Sequence, residues 1–214
     1  MDIIFDFGVV VFRWEPVALL QTALPEMRLS DREAQKAASE IFQGHQPDAD
    51  WSVFDRGAVQ PNELCARISS RTGWPVEALS RVLAAVPGHL TPKAESVQLI
   101  EDCAQGPHQL FYLSNMPAPY ADHIDASYSF MSRFLAGIYS SRVGMIKPEP
   151  EIFSALDALR GSHERPVFID DSLANIQAAR AHGWTTLHYQ SAHQIARELE
   201  KIGAFPIGAP HIME

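Results

Sequence analysis

Only two cysteines, Cys65 and Cys103, occur in 214 residues. A disulfide framework needs more of them in a far shorter chain, and no Cys/His spacing suits zinc. The pair reads as two reduced, buried thiols. Positive charge is scarce as well: 17 Lys and Arg stand against 26 Asp and Glu, a formal net charge of −9. Nucleic acid and anionic membranes both require a basic face, so neither is expected as a partner. No apolar run reaches the length of a membrane span. Asp2 and Asp6 interrupt the first apolar stretch too early for a signal peptide, so a cytoplasmic protein is expected. Internal repeats and low-complexity tracts are missing. The nine histidines keep no ligand spacing, and nothing in the pattern sets an oligomeric state.

What is present is a core-forming composition, 46% hydrophobic and 20% charged. Ile3-Ile4-Phe5 is a short, apolar, β-prone run that ends at Asp6, with Gly8 just beyond. From about Glu15 to Leu90 the apolar residues recur at helix-like spacing, with Pro61 and Pro75 where first helical turns tolerate proline. This predicts an insert of four or so helices. Alternation follows. A helix over about 93–103 leads to a strand over 109–113, closed by Ser114-Asn115. A short strand is expected at Ile138-Tyr139 and a helix from Pro148 to Arg160. Val167-Phe168-Ile169 is a strand ending at Asp170-Asp171, Ser172 caps the next helix, and Gly183 closes it. Thr185 to His188 is the last strand, before a polar helix. Strands alternating with helices predict right-handed crossovers and a doubly wound parallel α/β sheet.

In such sheets ligands bind beyond the carboxyl ends of the strands. Asp6, Ser114-Asn115 and Asp170-Asp171 end strands there, and Lys147 sits in the loop GMIKPEP that enters a helix. Each residue has an ordinary explanation alone, as a turn former, a cap or solvated surface. Together, three carboxylates, one hydroxyl and one ammonium on one edge make a site.

Four segments then carry a resemblance. IIFDFGVVV, YLSNM, GMIKPEP and FIDDSLANIQAA resemble, in order, the four motifs of the haloacid dehalogenase (HAD) superfamily, over essentially the whole chain. The helical insert stands where that superfamily carries a C1 cap. The resemblance implies a HAD-like core over residues 1–14 and 91–214 and a cap over 15–90. The nearest likeness is to the bacterial branch that includes α-glucose-1-phosphate phosphatases. It implies a magnesium-dependent phosphatase acting on a small phosphomonoester, such as a sugar phosphate. Asp6 would be the covalent nucleophile, with Asp6, the Gly8 carbonyl, Asp171 and Asp170 at the Mg2+ site. Ser114, Asn115 and Lys147 would bind the phosphoryl group. Asn175, one helical turn beyond Asp171, would tie that loop to the site.

One departure stands out. HAD phosphatases usually carry a second Asp, an acid and base, two residues after the nucleophile; here that residue is Gly8. The substrates expected are therefore esters that leave with little protonation, and Asp55 or an ordered water is where a replacement donor would be sought. Arg13, Trp14, Trp51, Asp55 and Arg56 are the candidates for specificity in the cap. Trp51 to Gly57 resembles a W-x-x-(Y/F)-(D/E)-x-G stretch of the same branch. Two alternatives accompany this reading. A metal-independent L-2-haloacid dehalogenase fits Gly8 and the Asp170-Asp171 pair poorly, and a phosphate-binding module without turnover is disfavoured by Asp6 and Lys147 together.

Overall fold

A computed structural model describes residues 1–43 and 48–204. Five strands, β1 (Asp2–Phe5), β2 (Gln109–Ser114), β3 (Phe134–Tyr139), β4 (Val167–Asp170) and β5 (Thr185–His188), form one sheet. The order is β3-β2-β1-β4-β5 and every pairing is parallel. Parallel sheets are buried on both faces, and the short β-strands read accordingly as unbroken apolar runs. Ile3 and Phe5 point into one hydrophobic cluster and Ile4 into the other, as the period of two requires.

Helices α6 (Ala94–Gln105), α7 (Ala118–Ser127) and α11 (Ala192–Lys201) cover the first face. Helices α9 (Pro150–Arg160) and α10 (Leu173–Ala181) cover the second. The expected doubly wound fold is therefore present. The strand order reverses between β1 and β4, and the crevice at such a switch point is where ligands sit. Asp6 follows β1 and Asp170 ends β4, so the two flank that crevice.

All the helices of the insert lie between β1 and β2. They are α1 (Pro16–Ala23), α2 (Asp31–Phe42), α3 (Asp50–Asp55), α4 (Pro61–Thr72) and α5 (Val76–His89), with a 3-10 turn at Pro25–Met27. The described residues thus hold five α-helices there, against the four or so expected. Pro61 opens α4, where its missing N–H costs nothing, and Ser30 closes a reciprocal capping box with Glu33 on α2. Apolar residues of α1, α2, α4 and α5 join the cluster that covers the first sheet face, so insert and sheet share one buried core.

Three local expectations need correction. Strand β3 begins at Phe134 rather than Ile138. Gly137 obscures it in the sequence, yet is required: a Cβ there would meet the Tyr112 ring at 2.3 Å. A four-residue helix, α8 (Ser140–Val143), follows β3 unannounced. Ser172 holds the N-cap position of α10, but its side chain makes no capping bond; its N–H donates instead to Asp170 Oδ1 at 2.8 Å. Cys65 and Cys103 are free and buried, as expected. Among the described residues no helix is long and apolar enough to cross a membrane.

Candidate active site

The loop after β1 places the first carboxylate. Asp6 N–H donates to the Ile169 carbonyl at 2.9 Å, extending the ladder with β4 by one residue. The chain then turns sharply. Val10 N–H bonds back to the Gly8 carbonyl at 2.6 Å, and Val9 between them has φ 59°, a left-handed conformation that a β-branched side chain resists. Neighbours hold the turn in place. Lys93 Nζ donates to the Val9 carbonyl, and Ser96 Oγ donates to the Val10 carbonyl at 2.7 Å and lies 3.1 Å from the Tyr189 hydroxyl. Sequence reasoning missed Lys93, Ser96 and Tyr189; they lie at the N-cap of α6, on α6 and beyond β5, far along the chain from the turn they support.

The second and third loops are sewn together. Asn115 Nδ2 donates to the Lys147 carbonyl at 3.0 Å, and Lys147 N–H donates to Asn115 Oδ1 at 2.8 Å. This two-way bond aims the Lys147 side chain at the crevice. Its Nζ lies 2.8 Å from Asp6 Oδ1 and 2.6 Å from Asp170 Oδ2. All three side chains are buried. Asp170 also accepts from Asn175 Nδ2 at 3.1 Å on both oxygens, as well as from Ser172 N–H.

Burial lifts the Asp6 carboxyl to about 7, against the pull of Lys147 and with a further push from Asp170 and Asp171. Burial works against the Lys147 ammonium, but Asp170 and Asp6 outweigh it and raise its pKa above the ordinary value. Oxygens of Asp6, Asp170 and Asp171 approach within 4.8 Å of one another. Hard oxygen donors at this density suit Mg2+, and a divalent cation would relieve the repulsion that lifts Asp6. Ser114 Oγ is buried with no hydrogen-bond partner among the described residues, an orphaned donor beside the same edge.

A cavity of about 190 Å³ lies between insert and sheet, with Ser114 and Asp170 buried behind its lining. Asp6, Gly8, Asn115, Lys147, Asp171, Ser172 and Asn175 line its floor. Its other wall is apolar, built from Trp14, Phe42, Trp51, Val86, Leu90, Met116 and Tyr120, with Asp55 as its carboxylate. Trp51 packs edge-on to Phe42 at 4.6 Å between ring centroids and stacks over Tyr120 at 6.5 Å.

The structure thus brings Asp6, Gly8, Asn115, Lys147, Asp171, Asn175, Trp14, Trp51 and Asp55 to one cavity. Two cap candidates lie outside its lining. Arg13 is on the surface, 4.0 Å from Glu15. Arg56 turns away to a bidentate pair with Glu149, at 2.8 and 2.5 Å. Long basic side chains find carboxylates near the surface more cheaply than inside an apolar wall.

No family model matches the chain. A sesquiterpene phosphatase of Aspergillus oryzae is 26% identical over 93% of this chain and 94% of its own length. A HAD-family enzyme of Bacteroides thetaiotaomicron, solved with magnesium and inorganic phosphate, superposes with a TM-score of 0.69 at 21% identity. That match covers 88% of this chain and 93% of the other. L-2-haloacid dehalogenase of Xanthobacter autotrophicus gives 0.64 at 18% identity over 96% and 84%. The chain thus has the fold of the haloacid dehalogenase-like enzymes, with polar residues at the carboxyl ends of its strands as the sequence led one to expect.

Proposed function

We propose that the protein is a Mg2+-dependent phosphomonoesterase whose substrates carry an apolar organic group. The observation that carries this reading is the two-sided cavity: a buried Asp6–Lys147–Asp170 network on its floor and an aromatic wall opposite. The span 15–90 forms the cap, which supplies Phe42, Trp51, Val86 and Leu90 to the wall, while Trp14, Met116 and Tyr120 come from the core; residues 44–47 of that span lie outside the described residues.

In this reading the Asp6 carboxylate attacks phosphorus in line with the ester oxygen and forms an aspartyl phosphate. Lys147 balances charge on the nucleophile and on the transferring group. The orphaned Ser114 hydroxyl and the Asn115 backbone N–H bind phosphoryl oxygens. Asp6, the Gly8 carbonyl and Asp171 would hold Mg2+, and Asp170 orients Lys147 and Asn175 behind them. The bound ion would supply electrostatic stabilisation of charge on the phosphoryl oxygens. Water then attacks the aspartyl phosphate and releases inorganic phosphate.

The wall favours an apolar alcohol over the sugar anticipated from sequence, because aromatic and aliphatic side chains leave a hexose's hydroxyls few partners. The full-length relative named as a sesquiterpene phosphatase supports the same direction. At about 190 Å³ the cavity is smaller than the usual small-molecule pocket of about 300–1,000 Å³. A long chain must therefore extend through the mouth between cap and core. The dehalogenase alternative loses ground, since three converging carboxylates repel an anionic haloacid.

The test is phosphate release from aryl, prenyl and sugar phosphates, each with and without Mg2+. Prenyl or aryl esters should exceed sugar phosphates in kcat/KM, and chelator should abolish the activity. Turnover of L-2-chloropropionate in chelator, with none of any phosphate ester, would overturn the reading.

A further inference from the structure

We propose that Asp55, carried by the cap, delivers the proton to the departing ester oxygen and takes it back from the attacking water, doing from above what no residue at position 8 can do from below. This rests on the phosphatase reading. Three observations support it.

Asp55 is 8% exposed, lines the cavity that holds Asp6 and Lys147, and accepts no hydrogen bond on its carboxylate among the described residues. A buried, unpartnered carboxylate is costly unless it is neutral or meets a ligand.

Its position over the core is tightly determined. The Asp55 backbone carbonyl accepts from Ser140 Oγ at 2.5 Å, and that oxygen accepts in turn from Met116 N–H at 2.8 Å. The next residue, Arg56, clamps Glu149 on the core. Gly57 follows at φ 76°, where a Cβ would stand 2.6 Å from the Ser141 carbonyl. Only glycine lets the chain pass this close to α8. Three successive residues thus register one carboxylate against α8 and the loop that carries Lys147.

Its surroundings keep the proton on. Burial, opposed by Lys147 and assisted by Asp6, lifts the Asp55 carboxyl to about 8. Tyr120, on α7, faces it across the wall and is itself driven up by burial and by Asp55. Near neutral pH the group therefore carries the proton an alkoxide needs.

The step balances. The Asp6 carboxylate forms a bond to phosphorus as the P–O bond to the organic group breaks, and the Asp55 proton goes to the departing oxygen. Water next bonds to phosphorus, its proton returns to Asp55, and the P–O bond to Asp6 breaks.

Two measurements test this. In the unmodified protein, kcat/KM across aryl phosphates should depend only weakly on leaving-group basicity. Asp55→Asn should make that dependence steep. Alkyl esters should lose about 10²–10⁴-fold in kcat/KM, the usual worth of acid help. p-Nitrophenyl phosphate should keep its kcat/KM within about tenfold by the same scale, yet show a burst as aspartyl phosphate accumulates. Gly8→Asp should restore alkyl-ester turnover to Asp55→Asn, since a Cβ at Gly8 meets nothing within 4 Å. A steep dependence in the unmodified protein overturns the role of Asp55 alone, as does an equal loss on every ester. Absence of any Mg2+-dependent p-nitrophenyl phosphatase activity in the unmodified protein overturns the phosphatase reading and this role with it.

Discussion

The floor and the roof of the cavity are built on opposite principles. On the floor, nearly every polar group is fastened to another: Lys147 to Asp6 and Asp170, Asn175 to Asp170, Asn115 to the Lys147 backbone. On the roof, side chains meet as aromatic rings, and the one carboxylate among them is unbonded in the described residues. A cross-bonded floor is preorganised and suits a group of fixed geometry and charge, as the proposed phosphoryl group is. A packed apolar roof recognises area and shape, and tolerates variation in both. Under the proposed reading the difference gives phosphoryl binding to the floor and choice of substrate to the roof, with Asp55 as the roof's one contribution to the reaction.

The sharpest way to break the comparison is to disable the floor. Asp6→Asn should fold and lose at least about 10³-fold in kcat on every ester, as removal of a nucleophile does. Retained turnover would remove Asp6 from the chemistry. Next comes Asp170→Ala, which leaves Lys147 buried with half its counter-charge. Breaking a buried pair in this way costs about 3–5 kcal/mol, so denaturant melts should show a large drop in midpoint, and a drop below about 1 kcal/mol would show that the network is loose.

On the roof, Trp51→Ala should act selectively. Losing an aromatic wall should lower kcat/KM for apolar esters by about 10–100-fold while sparing small generic esters, given about 1.5–3 kcal/mol for a fully buried large side chain. Equal losses on all esters would make Trp51 a packing residue only. The roof also has a pH signature. A carboxyl raised to about 8 when folded, against an ordinary Asp near 3.8, binds its proton more tightly in the folded chain. Folding stability drawn from it is unaffected below about pH 4, falls as pH rises towards 8, and then levels. Asp55→Asn removes that loss, so its melting temperature relative to the unmodified protein should climb over the same window. A flat difference would mean that Asp55 ionises normally. Smallest is Arg56→Ala. The Arg56–Glu149 pair is about one-quarter to one-third exposed and is worth about 1 kcal/mol at most, so a modest, substrate-independent rise in KM is expected.

Much of the floor was legible because short buried strands announce themselves. Ile3-Ile4-Phe5 and Val167-Phe168-Ile169 are unbroken apolar runs, and the polar residue that stops each is the one the fold uses. β3 was half hidden because Gly137 makes room for Tyr112 and breaks the pattern. α8 is too short to show a period. The roof was legible in composition and not in direction. Arg13, Trp14, Trp51, Asp55 and Arg56 all read as candidates, but a helix of six residues does not say which of Trp51 and Asp55 faces inward, and the others lie outside any helix that could set their direction. Arg56 finds its partner 93 residues away, and no local spacing encodes that. The supports of the Val9 turn are equally remote, since Lys93 and Tyr189 meet it only through the fold.

Glu149 sits between these two halves and belongs to both. Its carboxylate takes the Arg56 guanidinium from the cap, and its Oε2 also accepts from Ile146 N–H at 3.2 Å, in the loop whose next residue is Lys147. Two contacts thus share one carboxylate, so losing the Arg56 pair should loosen the segment that presents Lys147 to Asp6. Any such coupling is reciprocal: holding that segment still should strengthen the Arg56 contact. Amide hydrogen exchange over residues 145–149 should accelerate in Arg56→Ala, and unchanged exchange there would show that the two contacts are set independently.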